Sequence, residues 1–83
     1  MNLTPVQREV LVHLLERGDD IPANIAEATG SHSKSVSRVL TGMGEESLVG
    51  LGLVSDKGRG VYTLTGEGEE GAESLVRRRG GGP

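Results

Sequence analysis

The run Gly30-Ser31-His32-Ser33-Lys34-Ser35-Val36-Ser37-Arg38-Val39-Leu40 gathers small hydroxyl side chains and two cations without a carboxylate. Wound as an α-helix from about Ser33, it puts Lys34, Ser37, Arg38 and Thr41 on one stripe, opposite Val36, Val39, Leu40 and Met43. Arginine and lysine can reach guanine O6 and N7 or a phosphate, and serine fits close to a sugar-phosphate backbone. An ordinary polar helical stripe is simply solvated. Five hydroxyl residues between Ser31 and Thr41, with no acid among them, set this one apart. His32, in the turn before the helix, is placed to touch a phosphate, and Ser33 and Ser35 fall on the same helix.

A second basic point is Lys57-Gly58-Arg59-Gly60. Its glycines let backbone N–H groups approach a phosphate, and Arg59 can bind phosphate or enter a minor groove. By itself this is a plain turn that happens to be basic; after the preceding helix it gains meaning. Arg77-Arg78-Arg79 reads as a solvated helix end.

Other chemistries find little support. Gly66-Glu67-Gly68-Glu69-Glu70-Gly71 matches a dinucleotide-binding pattern letter for letter. Its glutamates would stand where a pyrophosphate must sit, and the chain after it is too short to complete a βαβ unit. His13 and His32 have no His-x-x-His or Glu-x-x-His spacing, so no metal site is expected. Without cysteine there are no thiolate sites or disulfides, and no serine lies in a nucleophile-elbow context. The expectation is a non-enzyme without a cofactor.

The elements that would hold these residues are legible. Thr4-Pro5-Val6-Gln7 opens a helix over about 5–17, with a threonine N-cap, proline at N1 and glutamine closing a capping box. Val6, Val10, Leu11, Leu14 and Leu15 form its apolar stripe, and Gly18 is expected to end it in a left-handed conformation. Asp19-Asp20-Ile21-Pro22 is a turn with a short extended piece at Ile21. A second helix over about 23–29 turns Ile25, Ala26 and Ala28 inward and stops at Gly30. The third begins near Ser33. Gly42 and Gly44 blur its end, although Leu48 and Leu51 keep a roughly helical phase.

Leu53–Asp56 and Val61–Leu64 are strand-like runs around the basic turn, which predicts a β-hairpin. Thr65 can cap a last helix over about 67–78, with glutamates in its first turns and arginines at its end. The chain is thus predicted as one domain over 1–79, with a disordered tail over 80–83. Its fold class is α+β: a winged helix-turn-helix with a three-helix core, a two-stranded hairpin wing and a C-terminal helix.

Composition sets the remaining bounds. Eighty-three residues with a single aromatic, Tyr62, must build a small aliphatic core. Such a core supplies only about 3–5 kcal/mol, which makes support from a second copy plausible. No apolar run approaches the roughly 20 residues that span a bilayer, and the start lacks a basic-then-apolar signal segment. A soluble, cytoplasmic protein is expected. The net charge of −3 by itself opposes nucleic acid, but the twelve carboxylates avoid Ala28–Gly44. A basic face can dock on phosphate despite an acidic body. Seven Arg against two Lys, many carboxylates and abundant glycine and valine suggest a salt-adapted source.

Ile25-Ala26-Glu27, Gly30, Val36-Ser37-Arg38, Leu40, Gly52-Leu53-Val54 and Gly58-Arg59-Gly60-Val61-Tyr62-Thr63-Leu64-Thr65 together resemble winged helix-turn-helix transcriptional regulators. The likeness covers about residues 5–76. It is to the small haloarchaeal set similar to the phage phi-H repressor and, more broadly, to MarR-type domains, which implies a halophilic archaeon as the source. The resemblance implies that Ser33–Arg38 lie on a recognition helix and Lys57, Gly58 and Arg59 on a wing. One departure is that Gly52 comes nine residues after Met43, later than such regulators usually reach this point. The extra segment Gly44–Gly50 either lengthens the third helix or forms a loop.

The expected function is sequence-specific binding of double-stranded DNA by a homodimeric transcriptional repressor, with its first and last helices as the dimer surface. The alternative is a winged-helix protein-interaction module that does not bind DNA.

Overall fold

The computed structural model describes residues 3–41 and 47–80. Thr4 begins helix α1 (Pro5–Arg17) with the predicted capping box. The Thr4 N–H donates to Gln7 Oε1 at 2.7 Å, and the Gln7 N–H donates to Thr4 Oγ1 at 3.2 Å. Gly18 ends α1 at φ 91° with ψ −173°, so it is not left-handed helical as expected. This extended, positive-φ geometry is open essentially to glycine alone.

Helix α2 (Pro22–Thr29) starts one residue earlier than expected, because Pro22 takes the N1 position after an extended Ile21. Ile25 and Ala26 are buried, but Ala28 is exposed, against expectation. At about 100° per residue, Thr29 rather than Ala28 lies between Ile25 and Ala26 on the inward face. Thr29 is half-buried, and its hydroxyl donates to the Ile25 carbonyl at 2.8 Å. Gly30 closes α2 in the left-handed conformation. Helix α3 (Ser33–Thr41) follows a three-residue turn and packs on α2, giving the helix-turn-helix.

Of the segment Gly44–Gly50, residues 47–50 are described, and they do not continue the helix. Met43 and Gly44 lie outside the described residues. Residues 47–52 form a tight turn that serves the last carbonyls of α3. The Leu48 N–H donates to the Val39 carbonyl at 2.7 Å and the Val49 N–H to the Leu40 carbonyl at 3.3 Å. Ser47, buried at 1% exposure, donates its hydroxyl to the Leu40 carbonyl at 2.9 Å and accepts the Gly50 N–H at 3.2 Å. A helix end left unserved in the core would cost free energy, so this turn stands in for a C-cap. Ser47→Ala is expected to lose about 1–2 kcal/mol. By the usual 4–8 °C per kcal/mol, melting then falls by roughly 4–16 °C. A variant that melts with the wild type would mean that the capping role is idle.

Strands β1 (Val54–Asp56) and β2 (Tyr62–Leu64) pair antiparallel, with Val54 opposite Leu64 and Asp56 opposite Tyr62. The hairpin does not hang free. Asp20 bridges to β2 through Asp20 N–H to Tyr62 O at 3.1 Å and Tyr62 N–H to Asp20 O at 2.8 Å.

Helix α4 (Gly66–Gly80) is capped by Thr65, whose Oγ1 accepts the Gly68 N–H at 3.1 Å and donates to the Gly52 carbonyl at 2.6 Å. The helix extends to Gly80, one residue into the expected tail; residues 81–83 lie outside the described residues. Its companion is α1, and the two pack together within the chain. Much of the apolar surface expected at a dimer contact is therefore covered internally.

One core joins all the helices. Val10, Leu11 and Leu14 of α1 meet Ile25 of α2, Val36 and Leu40 of α3, Leu48, Leu53, Val54, Tyr62 and Ala72. Leu11, Ile25 and Leu40 are fully buried, each worth about 1.5–3 kcal/mol in apolar transfer.

Candidate nucleic-acid interface

Helix α3 has two unlike faces. Val36 and Leu40 are fully buried and Val39 half-buried against the core, which orients the helix. Lys34, Arg38 and Thr41, spaced i, i+4, i+7, are exposed on the other side. Ser33 and His32 are exposed at its start, while Ser35 and Ser37 are half-buried. The His32 carbonyl accepts the Val36 N–H at 3.0 Å, so His32 occupies the N-cap position and not a loop apart from the helix. Thr41 is partly committed, since its hydroxyl donates to the Ser37 carbonyl at 2.8 Å. The face thus presents two flexible cations, a short hydroxyl and no carboxylate from its own helix. That combination suits hydrogen bonding to base edges and phosphates.

The wing tip divides its two cations. The turn is closed by Lys57 N–H to Val61 O at 2.8 Å and Val61 N–H to Gly58 O at 3.2 Å. Gly58, Arg59 and Gly60 sit at φ 102°, 58° and 75°, a run of positive φ that turns the chain between the strands. Glycine accepts this freely. An arginine there carries backbone strain of order 1 kcal/mol, and such strain is more often found at functional positions. The Arg59 side chain is exposed. Lys57 differs, because its Nζ donates to Asp19 Oδ2 at 2.7 Å. It is paired across the fold.

The residue that joins these parts is Asp20, in the turn between α1 and α2. Its carboxylate accepts the Ile21 N–H at 2.8 Å and Asn24 Nδ2 at 2.9 Å, tying down the start of α2. Its other oxygen lies 2.8 Å from His13 Nε2, and since a carboxylate only accepts, that ring nitrogen donates. His13 is buried on α1. One side chain thereby links α1 and α2, while the same residue's backbone holds the wing. Partial burial pushes the Asp20 carboxyl up, but the bonds from His13, Asn24 and the Ile21 N–H outweigh it and hold the group below its ordinary range.

A carboxyl lowered on folding stabilises the fold above its unfolded value of about 3.9 and loses that contribution as pH falls through the folded value. Acid is therefore expected to lower the melting temperature progressively below about pH 5. Asp20→Asn should start lower and show a shallower acid limb. Parallel acid limbs for the two proteins would assign the loss to other carboxylates.

Among the described residues, no three His, Cys, Asp or Glu side chains converge as a metal ligand set would. No helix among them is long and apolar enough to cross a membrane. A groove of 720 Å³ between α1, the end of α2 and α4 mixes Arg8, Arg17 and Arg78 with Glu9 and Glu16 around Leu75.

The family model described as EarA-like matches residues 1–75. The chain belongs to the EarA-like family. The crystal structure of transcriptional regulator Tm0710 from Thermotoga maritima superposes with a TM-score of 0.74 at 22% identity. The likeness covers 95% of this EarA-like chain and 56% of the other, so the chain spans little more than half of that regulator. At this identity the likeness speaks for the fold: the EarA-like chain is an α+β winged helix-turn-helix, as its sequence pattern implies. No curated protein matches it.

Proposed function

We propose that this EarA-like chain is a binding protein and not an enzyme: a sequence-specific, double-stranded-DNA-binding transcriptional regulator that acts as a cytoplasmic repressor. Helix α3 enters the major groove, with Lys34 and Arg38 reaching bases or flanking phosphates and the hydroxyls fitting against the backbone. The observation that carries this reading is the exposed, carboxylate-free stripe Lys34–Arg38–Thr41 on a helix whose other face is locked into the core. Arg59 supplies a wing contact to phosphate. The solved structure of similar fold bears the name of a transcriptional regulator, which supports the same direction. Because one module of this size makes few contacts, the bound form is a homodimer. Leu15 and Leu75, half-buried on α1 and α4, are available to that contact.

Selection of bound duplexes from a random pool, followed by affinity measurement across KCl concentration, tests the proposal. Enrichment of a defined, two-fold related site is expected. A folded protein that enriches nothing and instead captures a protein partner would favour the interaction-module reading, to which the −3 charge is congenial.

The same titration tests salt adaptation. In molar KCl the Debye length is only about 3 Å, so attraction between phosphate and the basic stripe is screened and short-range base contacts must carry specificity. That salt also relieves repulsion among Glu67, Glu69, Glu70 and Glu73 along α4. Melting temperature is expected to rise from low to molar KCl while specific binding survives. A protein that melts no higher and releases its site there is an ordinary mesophilic regulator.

A further inference from the structure

The Asp19 carboxylate occupies Lys57 as a phosphate oxygen would. The Lys57 Nζ to Asp19 Oδ2 distance is 2.7 Å, both side chains are solvent-accessible, and they are 38 residues apart in sequence. The hydrogen bond from Lys57, assisted by one from Thr63 on β2, holds the Asp19 carboxyl below its ordinary range. The backbone that carries Asp19 is held beside the wing. Its neighbour Asp20 is anchored by two backbone bonds to Tyr62 and by side-chain bonds to His13, Asn24 and Ile21. The anchored turn thus holds an anion beside the wing.

We propose that Asp19 is a tuning residue for nucleic-acid binding: it competes with DNA phosphate for the Lys57 ammonium, leaving Arg59 as the uncommitted wing cation among the described residues. The proposal rests on the DNA-binding reading and deepens it. Opening the pair to admit a phosphate exchanges one anion for another, so Lys57 adds little net affinity and releases little counterion. The wing then grips non-specific DNA less than its sequence suggests, and α3 carries more of the discrimination.

The test is a set of salt-titrated affinities for a short fluorescent duplex of mixed sequence, since phosphate contact does not require the operator. Asp19→Asn is expected to tighten binding about two- to fivefold at low salt, on the scale of an exposed ion pair, and to steepen the log-affinity against log-salt slope by about one. Lys57→Ala alone should change affinity by less than about twofold, yet abolish the whole gain when added to Asp19→Asn. Glu73→Gln, an exposed α4 change that alters net charge equally, should leave the slope unchanged. Melting curves check that each variant is folded.

If Asp19→Asn and Lys57→Ala each weaken binding, the pair positions the wing and competition is overturned. If neither changes binding, or if Glu73→Gln reproduces the gain, the effect is not at Lys57 and the proposal fails as well. Arg38→Ala in the same series separates the two readings. DNA binding lost on Arg38→Ala but insensitive to Asp19→Asn rejects this inference alone; no binding by the wild-type chain rejects the DNA reading and this inference together.

Discussion

Gly68→Ala is expected to cost at least about 3 kcal/mol, a loss on the scale of the domain's whole stability. A β-carbon built at Gly68 would lie 1.8 Å from the Leu53 carbonyl oxygen and 2.8 Å from its carbon. These are backbone atoms, and that oxygen already accepts the Thr65 N–H at 3.0 Å, so it cannot rotate away. Relief requires α4 to lift off the start of the hairpin, undoing the burial of Ala72 beneath it. The melting temperature should fall by roughly 12–24 °C or more, at 4–8 °C per kcal/mol.

Gly71, three residues further along α4, provides the contrast. A β-carbon there meets nothing within 4 Å, and the position is helical, so Gly71→Ala should gain about 0.5–1 kcal/mol. Thermal unfolding of the two variants side by side decides the matter. Melting of Gly68→Ala near the wild type would mean that α4 does not seat on Leu53. The pair also accounts for the nucleotide-like glycine pattern, in which Gly68 is a packing requirement and not part of a phosphate cradle.

Arg38→Ala is expected to weaken binding to a selected DNA site by about 1–3 kcal/mol, roughly 5- to 150-fold, with the fold unchanged. Arg38 is exposed, so its loss opens no cavity, and Val36 and Leu40 keep α3 docked. Arg38→Lys should retain the charge but not the planar fork that engages guanine O6 and N7 together, giving a partial loss. A loss concentrated on the selected site marks base readout, whereas an equal loss on all duplexes with a flatter salt slope marks a phosphate contact. Unchanged affinity in a folded Arg38→Ala protein would remove α3 from the interface.

Element order was legible because each helix announces itself through neighbours three and four residues apart. Thr4, Pro5 and Gln7 write the start of α1, and Thr65 writes the start of α4. The acid-free stripe of α3 was legible in the same way, since one helix face is a local property. The early start of α2 could also have been read, because proline after an extended residue is a standard first helical position. The exposure of Ala28 was not legible, because two turns of helix offer too few apolar residues to fix the buried direction.

By itself, then, the sequence determined the helices, the hairpin, the winged helix-turn-helix order and the cationic face of α3, all set by interactions within a few residues. Tertiary structure alone decided that Lys57 is held by Asp19, that His13 and Asp20 join α1 to α2, that Ser47 caps α3 from beyond its end and that Gly68 must stay bare. Each of these depends on where separate segments meet. Periodicity shows which face of an element turns inward, but the partner it finds there is set by the path of the whole chain.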